Sequence, residues 1–148
     1  MDFSGKRLHS VRENVSLSSM TSKKVVATSV KKLLNGADKA ATMLVCKFKS
    51  PAVQVSNILY FDLVKNLHLP RPDIHFTVQG FDGEDAIIRV STDNLAKSIM
   101  VKYKGEAGFF SDNFFDLLPG QSRDIKVKAK GTSEEIIREL TYITMDQM

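Results

Sequence analysis

The chain has 148 residues and a formal net charge of +4, with 43% hydrophobic and 26% charged residues. That is enough apolar material for a core, and no run of 18 or more apolar residues is available to cross a membrane as a helix. Cys46 is the only cysteine, which excludes an intrachain disulfide.

Taken in chain order, the pattern is mostly of strands. Val11 to Leu17 alternates Val11, Val15 and Leu17 with Arg12, Asn14 and Ser16, and Lys24 to Val30 is rich in β-branched residues; each predicts a strand. Lys31 to Asp38, with Leu33, Leu34 and Gly36, reads as a short helical turn or loop. Met43 to Phe48 and Val53 to Phe61 are apolar runs separated by Ser50-Pro51, which predicts a strand-to-strand connection. Cys46 lies within the first run and reads as a small buried hydrophobe. Residues 62–69 are less periodic, and Pro70 and Pro72 break any continuation. A domain junction is therefore expected within 62–70, dividing the chain into units 1–66 and 67–148. About five strands before the junction fall short of the seven, in about 100 residues, of a complete constant-type sandwich.

Six more strands are expected beyond the junction: Ile74 to Val78, Asp85 to Ser91, Lys97 to Tyr103, Phe109 to Leu118, Asp124 to Ala129 and Glu135 to Ile143. Their regular spacing, with turns between, argues for a β-sandwich. Asp82-Gly83 between the first two suits a type I′ hairpin turn. The segment Ser133 to Leu140, SEEIIREL, is equally open to a helix capped by Ser133. Ile136, Arg138, Leu140 and Tyr142 separate cleanly at neither period.

The stretch from Gly108 to Gly120, GFFSDNFFDLLPG, is the most distinctive. Phe109, Phe110, Phe114 and Phe115, with Leu117 and Leu118, flank the polar insert Ser111-Asp112-Asn113. Pro119-Gly120 at the end is the type II turn pattern, because Pro presets φ and Gly tolerates a positive one. The half-buried strand Arg123 to Ala129 follows. A large apolar plug, a tight turn and a strand form a corner that closes a sandwich over its core. Asp112 and Asn113 are expected to bond nearby backbone.

Chemistry-bearing constellations are few. His9, His68 and His75 are far apart and lack metal-pair spacing, so they read as surface or turn residues. The acidic Asp82-Gly83-Glu84-Asp85 lacks the alternating oxygen ligands of a calcium loop and reads as a turn. Residues 1–67 carry 11 Lys/Arg against 4 Asp/Glu, and residues 68–148 carry 10 against 13. The basic half shows scattered pairs (Lys23-Lys24, Lys31-Lys32, Lys47 with Lys49) without the aromatic interleaving of a single-strand reader. Nucleic acid is not an expected partner, and neither is a membrane. The N-terminus is polar and charged, without the apolar region of a signal peptide.

The run FFSDNFFDLLPGQSRDIKV resembles the penultimate corner of the last immunoglobulin-like domain of β-mannosidases and related family 2 glycoside hydrolases. LPRPDIHF, Leu69 to Phe76, is similar to the opening strand of that domain, and NLAKSIMVKY, Asn94 to Tyr103, to its third. Leu33 to Phe61 looks like the last strands of the domain before it, and MDFSGKRLHSVRENVSLSS resembles an earlier strand, turn and strand. The resemblance covers most of the chain and favours a final strand at Glu134 to Leu140. It implies an all-β, immunoglobulin-like sandwich region in two units, the first incomplete. The family's catalytic glutamates lie in an upstream (β/α)8 barrel, and a barrel needs about 250 residues. The resemblance thus implies no catalytic, cofactor-binding or metal-binding residue here. Asp112, Asn113, Phe114, Phe115, Leu117, Leu118, Pro119 and Gly120 are then a structural corner. The implied partners are the barrel and other β domains of an exported parent, with self-association open through the first unit. Carbohydrate binding and a partner-binding immunoglobulin-like domain are the alternatives.

Overall fold

The computed structural model describes residues 1–104 and 109–147. Two units divide the chain, Met1–Asp2 with Lys6–His68 and Phe3–Gly5 with Leu69–Met148.

In the first unit, α1 (Val30–Leu34) is one short turn of helix, as the sequence suggests. Ser29 caps it by accepting the Lys32 N–H at 3.3 Å, and Asn35 ends it with φ +45°. The strands β1 (Met43–Lys49) and β2 (Gln54–Tyr60) form an antiparallel hairpin, paired from Met43↔Tyr60 to Lys49↔Gln54. Ser50 closes its loop, donating its N–H to the Val53 carbonyl at 2.8 Å and accepting the Val53 N–H on Oγ at 3.0 Å.

The strands expected at Val11 to Leu17 and Lys24 to Val30 do not form. Residues 6–29 are exposed and carry no strand. Alternation yields a strand only where a neighbour takes up the backbone donors and acceptors, and among the described residues no strand lies alongside these. Cys46, expected inside, is exposed. Its face of the hairpin is uncovered, with Phe48, Val55 and Leu59 exposed at 54%, 54% and 56%.

The second unit is an all-β, immunoglobulin-like sandwich. One sheet orders β3 (Ile74–Asp82), β4 (Asp85–Thr92) and β7 (Ser122–Lys128). The other orders β6 (Phe115–Leu117), β5 (Ala96–Tyr103) and β8 (Leu140–Ile143). The central strand β4 turns Ala86, Ile88, Val90 and Thr92 inward, all buried, while Arg89 faces out to an ion pair with Asp124 on β7. Ile125 and Val127 extend this inner face. Ile99, Val101, Phe115 and Leu117 of the second sheet complete the core. Phe76 and Tyr142 meet across it with ring centroids 6.2 Å apart.

Two local expectations are corrected. The β3–β4 turn consists of Gly83-Glu84, with φ positive (+63°) at Gly83 alone. This is the type II′ pattern rather than I′, since glycine occupies the first central position and Glu84 needs no left-handed conformation. The segment Glu134 to Leu140 is not a strand: α2 (Ser133–Glu139) occupies it, and β8 starts only at Leu140. Thr132, not Ser133, is the cap. Its hydroxyl accepts the Glu135 N–H, while the Glu135 carboxylate accepts the Thr132 N–H at 2.7 Å, completing a capping box. Ile136 and Leu140, one helical turn apart, are then both buried in the core.

Candidate functional site: the corner between the two sheets

The corner segment changes sheets. On its first side it borders β7. The Phe109 carbonyl accepts the Lys128 N–H, the Ser111 N–H reaches the Lys126 carbonyl at 2.9 Å, and Ser111 Oγ accepts the Lys126 N–H at 2.8 Å. Phe110 bridges Val127. Four residues later the chain has crossed to β5, where Phe115 pairs with Ile99 and Leu117 with Ala96. The single strand expected over Phe109 to Leu118 is therefore broken in the middle, and regular pairing with β5 covers only Phe115–Leu117.

Asn113 and Phe114 make the break. The Asn113 side chain accepts the Val101 N–H on Oδ1 at 2.8 Å and donates Nδ2–H to the Val101 carbonyl at 3.0 Å. An amide side chain thus stands in for a strand residue along β5. Phe114 follows with φ +59° and lies 63% exposed, whereas Phe115 is buried. The left-handed residue redirects the chain so that Phe115, Leu117 and Leu118 all turn inward.

The opposing strand adapts as well. Between Ala96 and Ile99 the register of β5 slips, with Ser98 at φ +52°. The Ser98 N–H that leaves the ladder is taken by Asp116 Oδ1 at 2.7 Å, and Lys97 Nζ lies 3.3 Å from Asp116 Oδ2. Asp112 pairs with Arg123 at 2.6 Å, and the Arg123 guanidinium carbon stands 4.8 Å from the Phe115 ring centroid. The closing turn, Leu118 to Gln121, carries the bond from Gln121 N–H to the Leu118 carbonyl at 2.9 Å, with Gly120 at φ +71°. Gly120 also donates to the Thr92 carbonyl at 3.0 Å, fixing the turn to the end of β4.

Every carboxylate at this corner is thus engaged by a cation or backbone donor. The arrangement fixes backbone and offers no nucleophile beside a base. Other candidates stand apart from it. Asp82 pairs with Lys126, whose hydrogen bond and charge lower the Asp82 pKa, and Glu84 lies 3.6 Å from Lys128. His68 and His75 are exposed beside Asp38 and Asp73. Among the described residues no three His, Cys, Asp or Glu converge to hold a metal ion. Sequence reasoning missed Ser98 and Arg123. No local signal marks either, because their partners lie 18 and 11 residues away.

A mannosidase Ig-fold domain model matches residues 69–148, and a mannosidase Ig/CBM-like domain model matches residues 1–66. The chain belongs to the mannosidase Ig-fold domain family. Both models describe Ig-type domains of the mannosidase family, and together they support a non-catalytic accessory domain. Among solved structures the chain is similar to β-D-mannosidase from Dictyoglomus thermophilum, with a TM-score of 0.61 and 21% identity over 76% of this chain. That similarity spans only 14% of the Dictyoglomus chain. Among curated proteins there is no sequence match.

Proposed function

We propose that this mannosidase Ig-fold chain is the non-catalytic β-sandwich portion of a β-mannosidase-like glycoside hydrolase, packing against and supporting a (β/α)8 catalytic domain. The succession of two mannosidase-type domains, 1–66 and then 69–148, carries the reading. The corner agrees with it, since its polar groups are spent on holding two sheets together. A retaining glycosidase needs two free carboxyl groups about 5–5.5 Å apart. The test is to read the genomic frame upstream of Met1 and co-express any barrel encoded there. Co-purification, with a raised melting temperature for the barrel, supports the reading; a barrel indifferent to the chain overturns it.

A second reading follows from the rings left outside. Phe109 and Phe114 are 71% and 63% exposed, and an exposed ring is a stacking surface for the apolar face of a sugar. Calorimetric titration with manno-oligosaccharides separates this carbohydrate-binding role from a purely architectural one.

A further inference from the structure

The first unit holds an unfinished ladder whose register is already set. Met1 and Met43 exchange both backbone bonds: the Met1 amine donates to the Met43 carbonyl at 3.0 Å, and the Met43 N–H donates to the Met1 carbonyl at 2.9 Å. Asp2 and Thr42 form the adjoining antiparallel bridge. In an antiparallel ladder, residues exchanging both bonds recur at every second position. Because Met43 directs its backbone groups toward Met1, those of Val45, Lys47 and Lys49 point to the same outer side. Leu44, Cys46 and Phe48 point to β2, and the Ser50–Val53 bond at the loop follows the same parity. Among the described residues β1 pairs along its length with β2 alone.

We propose that the outer edge of β1, from Leu44 to Lys49, is the docking site of an additional strand that runs antiparallel to β1 and leads directly into Met1. Six residues suffice, spanning about 20 Å at strand rise. The second, fourth and sixth residues before Met1 form the doubly bonded pairs with Val45, Lys47 and Lys49. The first, third and fifth stand beside Leu44, Cys46 and Phe48.

Register fixes the chemistry of the occupant, because directly opposed residues share a face. Positions beside Leu44, Cys46 and Phe48 join the apolar face that leaves Phe48, Val55 and Leu59 more than half exposed, so they take β-branched apolar side chains. Positions beside Lys47 and Lys49 take Asp or Glu. A two-stranded hairpin is marginal in water, and a third strand is the smallest addition that stabilises it. A second copy of the chain is the poorer occupant. Two β1 edges would gather four lysines on one short ladder, which is how edges repel their own kind.

The experiment adds Glu-Val-Glu-Val-Thr-Val before Met1 of the full chain and follows amide hydrogen exchange. Exchange at Val45, Lys47 and Lys49 should slow by about tenfold or more, with amides of β4 and β7 unchanged as an internal standard. A control extension carries proline at its second, fourth and sixth residues before Met1, removing the N–H groups the pairing needs; it should leave exchange at the three amides as in the parent. No slowing with the first extension overturns the proposal, as does equal slowing with the proline control. A concentration-dependent slowing in the unextended chain would also overturn it, by assigning the edge to a second copy.

Discussion

Asn113 holds Val101 by both of its backbone groups, the amide oxygen accepting its N–H and the amide nitrogen donating to its carbonyl. Val101 is 1% exposed and central to the core of the sandwich. A side chain therefore does the work of a strand at the place where the corner leaves one sheet for the other. Asn113→Ala removes both partners and leaves part-buried backbone groups unpaired, so it should cost about 1–3 kcal/mol. Asn113→Asp keeps an acceptor for the Val101 N–H but turns a second oxygen toward the Val101 carbonyl, so it should not restore the loss. Urea denaturation of both variants measures this, and an alanine variant as stable as the parent would show that the pairing is dispensable.

The neighbouring phenylalanines should behave oppositely. Phe115→Ala empties a buried site beneath Arg123 and should cost about 3–5 kcal/mol. Phe114 is exposed and left-handed, a conformation that costs a residue with a side chain about 1–2 kcal/mol. Phe114→Gly relieves it at a backbone-entropy cost of about 0.5–1 kcal/mol, and should leave stability unchanged or slightly raised. If Phe114→Gly instead destabilises as strongly as Phe115→Ala, the ring is part of the packing.

Gly120→Val tests the turn separately. A side chain at Gly120 would meet nothing within 4 Å, yet φ is +71°. The expected loss of about 1–2 kcal/mol is therefore conformational rather than steric. Gly120→Asn, which tolerates the left-handed region, should lose less; equal losses in the two variants would point to another cause.

How much of this was legible depended on where the information sits. The inward sets of β4 and β7 stand out because charged residues alternate with them, Arg89 and Asp124 among the outward ones. The apolar concentration between Phe109 and Leu118 is legible in the sequence, but which of its side chains turn inward is not: Phe115, Leu117 and Leu118 are buried, whereas Phe109 and Phe114 are exposed. The helix at Ser133–Glu139 was not, because its deciding signal is the reciprocal bonding of Thr132 and Glu135, which competes with a strand-compatible pattern at Ile136 and Leu140. Nor could the roles of Asn113 and Asp116 be read, since each depends on β5 lying alongside and, for Asp116, on the slip at Ser98. Val11 to Leu17 fails for the converse reason: its alternation is real, but a strand is a property of a pair.

Asp62 gives the first unit a pH signature. A hydrogen bond from Lys39 at 2.9 Å, with further ones from the Asn66 side chain and the Leu63 N–H, holds its carboxyl down at about 2. A carboxyl depressed in the folded state contributes stability that is present above its ordinary value of 3.8 and lost as pH falls from there through about 2. The Asp62 carboxyl resonance should titrate near the lower value in the intact chain and move toward the ordinary one in Lys39→Ala. An ordinary midpoint in the unsubstituted chain would mean the pair does not persist in solution.

The isolated chain should not hydrolyse aryl β-mannosides. Around the corner, Asp112 is paired with Arg123, Asp116 with the Ser98 N–H and Lys97, and Asp124 with Arg89. The hydrogen bond and charge of Arg89 lower the Asp124 pKa, the opposite of what a general acid needs, since that role requires a carboxyl held protonated near neutral pH. Release of nitrophenol from the aryl mannoside should therefore remain at the buffer rate from acidic to neutral pH. Contaminating enzyme is the obvious confounder, so any rate above buffer must survive repurification. A surviving rate that disappears on replacing a single Asp or Glu of this chain would place catalysis within it and overturn the accessory assignment. A surviving rate indifferent to every such replacement belongs to a contaminant and leaves the chain inactive, as expected.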